Sequence, residues 1–118
     1  HVHADDVARL FVAAMNGWSA AVGESFHAVS DGALTPRGYA EAMFRWCGHE
    51  PKVRYLPWDE WKREHTEEQA GKTRDHIAHS PSCSMEKAHR LLGFTPRWSS
   101  LAAVQEAFGR LAARGFRM

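Results

Sequence analysis

Only two cysteines, Cys47 and Cys83, occur in the 118 residues, so at most one disulfide is available where small secreted domains use several. A reducing, cytoplasmic setting fits that usage best. No apolar run approaches the roughly 18 residues that a membrane-spanning helix requires. Charge of one sign is also missing: fifteen basic and fourteen acidic side chains leave a formal charge of +1, which gives a polyanion no broad surface to hold and makes nucleic acid an unlikely partner by charge alone. Neither a glycine-rich GxGxxG or GxxGxxG turn nor a Tyr-x-x-x-Lys pair is present, since Tyr39 is followed four residues later by Met43 and Tyr55 by Asp59. No internal repeat or low-complexity stretch occurs. The start shows no secretory signal pattern, and opening on His1 suggests a chain cut from something longer.

A hydrophobic fraction of 44% and a charged fraction of 25% are ordinary for one globular domain. Val7, Leu10, Phe11, Ala14, Met15 and Trp18 recur at three and four residues, which predicts a helix from about 6 to 16 with that stripe buried, Asp6 as its N-cap and Asn16-Gly17 as its stop. Ser25–Val29 alternates between glycine-containing turns and reads as a short strand, as does Val53–Leu56 ahead of Pro57. Thr35-Pro36 opens a second helix with Tyr39, Ala40, Met43, Phe44 and Cys47 inward and Gly48 at its end. Trp58 starts another helix. The charged stretch 64–72 carries little periodicity. Ser84 caps a short helix ended by Gly93, and Ser99 or Ser100 caps a last one bearing Leu101, Val104, Phe108 and Leu111.

Three local sequences, in order, resemble one family. His1-Val2-His3-Ala4-Asp5-Asp6-Val7-Ala8 is similar to the "vHvdDvA" segment of the extended short-chain dehydrogenase/reductases, the NAD-dependent epimerases and dehydratases. Gly23–Val29 is similar to their "Ge.fnv" strand, and Ser84–Trp98 to their late "s.eKA...LGf.P" pattern. The resemblance implies an α/β fold class: the C-terminal, substrate-binding portion of a Rossmann-type enzyme, mostly helical with a few short strands, spanning 1–118 as a single substrate-side domain without its nucleotide-binding half. It further implies a sugar nucleotide or related small molecule as substrate, NAD or NADP in the intact parent, and a possible homodimer. The chain alone is expected to lack catalytic residues, because cofactor and proton transfer belong to the missing motifs.

By the same resemblance Arg74, in Arg74-Asp75-His76, stands where a basic residue contacts the substrate's phosphates, a task a guanidinium suits because it binds two oxygens at once. A solvated charge or an ion pair is the plainer role. His76 and His79 lie beside it, and Ser80 and Ser82 add hydroxyls. His3 either lines the substrate cleft or bonds nearby backbone. Trp58 and Trp61 offer a platform for a sugar or base, or ordinary core. His76, His79, Cys83 and His89 are loosely spaced like zinc ligands but lack the paired signature, so no metal site is assigned. A binding-only relative, associated with RNA rather than turning over a sugar, is the alternative. Unpaired strand edges are expected to make the chain dimeric or prone to aggregate.

Overall fold

The computed structural model describes residues 1–79 and 82–115. Among them the chain is mostly helical: α1 (Ala4–Asn16), α2 (Trp18–Ala21), α3 (Pro36–Trp46), α4 (Trp58–Arg63), α5 (Glu67–Ala78), α6 (Glu86–Leu92) and α7 (Ser100–Ala113). The two expected strands do not form among the described residues. Residues 25–29 and 53–56 lack helical structure, but neither meets a neighbour whose N–H and C=O groups could complete a ladder, and an isolated strand leaves those groups to water. One long-range backbone bond, from the Ser30 N–H to the His1 carbonyl at 3.3 Å, crosses there instead.

Most helix ends follow the chemistry of their residues. Thr35 accepts from the Gly38 N–H with Pro36 in the first turn, and Ser99 accepts from the Ala102 N–H. Gly93 ends α6 at φ 61°, a left-handed conformation that costs a side-chain-bearing residue steric energy. Ser84 accepts from the Glu86 N–H one turn edge earlier, while Met85 occupies the N-cap itself. Two assignments change. The unreadable stretch 64–72 contains the start of α5, fixed by a capping box in which Thr66 and Gln69 exchange side-chain and backbone bonds. The N-cap of α1 is His3, whose Nδ1 accepts from the Asp5 N–H at 3.1 Å. Asp6 lies inside the first turn, three residues past the cap position.

The core is small. Leu10, Met85, Ala88 and Phe94 are buried together, with Ala13, Phe26, Ala28, Val29 and Leu92 packed around them, so α1, α2, α6 and the segment before Ser30 form one unit. α3 packs on α7, where Ala42, Ala103 and Val104 are buried. The predicted stripes are only partly inward: Leu10 is buried, but Phe11, Met15 and Trp18 are 69–71% exposed. Phe44 and Cys47 are likewise exposed at the end of α3. The molecule measures 54 × 33 × 21 Å with a radius of gyration of 18.0 Å, against about 13.5 Å for a compact domain of this length.

Candidate functional site

The three sequence segments that carry the family resemblance meet in space. Asp6, on α1, is 2% exposed, and its carboxylate accepts from the Arg97 N–H at 2.9 Å and the Trp98 N–H at 3.0 Å, across more than 90 residues of chain. These N–H groups lie in the turn between Pro96 and α7. Arg9, one turn along α1, pairs with Asp6 at 2.8 Å, lies over the Phe94 ring at 5.2 Å and reaches the Thr95 carbonyl. Burial by itself would raise the Asp6 pKa. The hydrogen bonds from Arg97, Trp98 and Arg9, with the Arg9 charge, outweigh it and hold the carboxyl below its ordinary value. The third segment is fastened by Glu24 to Lys87, by Lys87 over the Phe26 ring and by the Val29 N–H directed at the Met85 sulfur.

His3 caps α1 and stacks on Trp98, with ring centroids 4.0 Å apart and planes 12° from parallel. Its Nε2 faces the Glu106 carboxylate at 3.6 Å. The bond to nearby backbone, one of its two predicted roles, is therefore present, and the ring is committed to joining α1 to α7.

An open concavity of about 440 Å³ lies beside this clasp, lined by Ser30, Asp31, Ser84, Glu86, His89 and Thr95, with Met85, Phe94 and Pro96 as apolar surface and Cys83 at its edge. Ser30 is 6% exposed and its hydroxyl has no hydrogen-bond partner. Carboxylates accept from hydroxyl groups, and serine, threonine and histidine can donate to them, so this lining suits a hydroxylated ligand. It contains no lysine or arginine, and two carboxylates repel an anion. Sequence reasoning passed over Ser30, Asp31 and Glu86, because nothing in their local spacing marks residues that only the fold brings to one hollow.

Arg74 and His76 are exposed on α5. They line neither this concavity nor a second one of about 390 Å³ between α1 and the end of α6, and the structure does not join them to His3. Among the described residues no ion pair engages Arg74. His79 and Ser82 are exposed, and Ser80 lies outside the described residues. Trp58 and Trp61 stack at 5.3 Å, and Trp61 stacks on His65 at 3.8 Å; both tryptophans are half-buried, so the ladder is part packing and part surface.

The described residues do not fit a dinucleotide: no strand runs into a glycine-rich turn and a helix N-terminus, the arrangement that brings backbone against a pyrophosphate. Nor do three or more histidine, cysteine or carboxylate residues gather to hold a metal among them, and no helix among them is long and apolar enough to cross a membrane. Compared with protein-family models, curated proteins and solved structures, the chain matches none.

Proposed function

We propose that this chain is the substrate-recognising part of an NAD(P)-dependent epimerase/dehydratase-like oxidoreductase that acts on a sugar nucleotide or related hydroxylated compound. The observation that carries the reading is the Asp6 clasp. Segments 1–8, 23–29 and 84–98, singled out separately for their likeness to one family, are held together by Asp6, Lys87 and the core around Phe94. Such mutual support among distant segments is what a shared fold demands.

In this reading the concavity beside Ser30 takes the neutral, hydroxylated part of the substrate, and Arg74 with His76 takes the diphosphate at the exposed face of α5. The chain runs from α5 into Cys83 and Ser84 at the concavity's edge, which joins the two regions in sequence. His3 contributes by fixing Trp98 and the start of α1. The nicotinamide, which supplies the redox chemistry when bound, is held by residues outside this chain, and no catalytic residue is assigned here.

Isothermal titration with a panel of nucleoside-diphosphate sugars tests this. Binding is expected to weaken about tenfold in Arg74→Ala, the scale of one lost charge-assisted contact, and to weaken separately in Asp31→Asn. Absence of binding across the panel, or binding indifferent to both variants, overturns the assignment.

A second reading, an RNA-associated relative without turnover, is favoured by the Trp58–Trp61–His65 ladder, near which Lys52, Arg54, Lys62 and Arg63 are exposed. Stacking on aromatic rings with nearby cations is how single strands are held without sequence preference. Tryptophan quenching by a short oligonucleotide that fades steeply with salt would support it.

A further inference from the structure

Ser30, Asp31 and Glu86 reach one hollow from two parts of the chain. Ser30 and Asp31 precede the turn that Gly32 makes at φ 79°, and Glu86 opens α6. Both carboxylates are exposed, and neither forms an ion pair among the described residues. The cations beside them in the fold are engaged elsewhere: Lys87 pairs with Glu24 and covers the Phe26 ring, and Arg9 pairs with Asp6. Ser30 is 6% exposed and its hydroxyl has no partner, a state that costs a buried polar group stability until something bonds to it. Two unpaired anions and one unsatisfied buried hydroxyl thus belong to a single concavity of about 440 Å³, a volume usual for small-molecule clefts.

We infer that this concavity takes a hydroxylated primary amine, of the class of an amino sugar, with its ammonium group against Asp31 and Glu86 and a ring hydroxyl at Ser30. The inference rests on the reading above in placing the sugar part of a substrate here, and differs from it in giving that part a positive charge. A neutral sugar meets the hydrogen-bonding groups of the lining but leaves both charges unmatched, and an anion is repelled. A metal ion does not answer them either. No three ligating side chains gather among the described residues, and hard divalent cations ask for six or more oxygens. An ammonium group carries three N–H donors and no acceptor, and its bonds to carboxylates are charge-assisted. Ser84 and Thr95 remain for further ring hydroxyls. Because both carboxylates are exposed, water screens them, and the charge gives a preference of modest size.

Titration of the whole chain with glucosamine, glucose and N-acetylglucosamine, followed by amide chemical shifts at a pH where the amine is protonated, is the test. These sugars share one ring and differ at a single substituent: an ammonium, a hydroxyl or a neutral amide. Glucosamine is expected to bind about fivefold more tightly than the other two, the scale of an exposed ion pair at its strong end, with shifts at 30–32 and 83–86. Asp31→Asn and Glu86→Gln, which keep shape and remove charge, should each reduce that preference, and the double variant should abolish it. Glu50→Gln, at a carboxylate also exposed but outside the lining, should leave it unchanged. Circular dichroism checks the fold, and the single variants serve if the double variant fails to fold. Equal affinity for the three sugars, a preference that survives removal of these charges, or no shift at 30–32 and 83–86 overturns the inference. A nucleoside-diphosphate glucose that binds while glucosamine gains nothing sinks this inference alone. A glucosamine preference without nucleotide-sugar binding upholds it and sinks the reading above.

Discussion

Removing the Asp6 carboxylate should loosen the molecule at its most connected point. In Asp6→Ala the Arg97 and Trp98 N–H groups lose their acceptor. An unsatisfied buried donor costs about 1–3 kcal/mol, but Arg97 is exposed and Trp98 half-buried, so partial rehydration places each toward the lower end. Arg9, with 30% of its side chain exposed, recovers part of its solvation, and its lost pairing adds little after that discount. The sum is about 2 kcal/mol, a sizeable share of the 5–15 kcal/mol that stabilises most domains. With a urea slope of about 1–3 kcal/mol per molar, the unfolding midpoint followed by tryptophan fluorescence should fall by roughly 0.7–2 M. Asp6→Asn, which keeps an acceptor oxygen but loses the charge, should fall about half as far. Because the folded pKa of Asp6 is depressed, its contribution is complete well above the unfolded carboxylate value near 3.9, declines as pH drops past it and is lost below the folded value. Asp6→Ala should therefore lose less stability than the parent on acidification. A midpoint within 0.3 M of the parent, or an unchanged acid profile, would refute this view of the clasp.

Three further outcomes follow from the geometry. Gly93→Ala meets nothing within 4 Å at its new Cβ, so its cost is the left-handed backbone alone, about 1–2 kcal/mol, readable as a lower urea midpoint. Thr66→Ala removes the capping box of α5 at a cost of about 1 kcal/mol; since α5 packs little on other helices, faster amide exchange confined to 67–78 is expected, and a uniform increase along the chain would contradict that. Arg74→Ala should leave stability within about 0.5 kcal/mol, because the side chain is exposed, and its effect on nucleotide-sugar affinity can then be read without correction.

Helix ends were the most legible part of the sequence. Thr35-Pro36, Gly93 and Ser99 act through bonds or backbone conformations that their own residues supply, and each stands where expected. Thr66 and Gln69 carried the same kind of signal, three residues apart, but the charged surroundings hid it because the helix they start has little apolar surface to show periodicity. Partners over long range were less legible. Asp6 read as a cap because acidic residues suit helix starts, whereas its acceptors' real claimants are N–H groups 91 and 92 residues away. Apolar periodicity located α1 correctly but could not say that Leu10 is buried while Phe11, Met15 and Trp18 face out. Residues 25–29 and 53–56 have strand-like alternation, but a strand depends on a neighbour that a local pattern cannot supply.

Sequencing the gene on the 5′ side of the His1 codon tests most directly whether this chain serves a nicotinamide enzyme. The proposal predicts an upstream strand followed by a glycine-rich turn and a helix, and further on a Tyr-x-x-x-Lys pair, in the same reading frame. An upstream region in that frame with neither feature would contradict it.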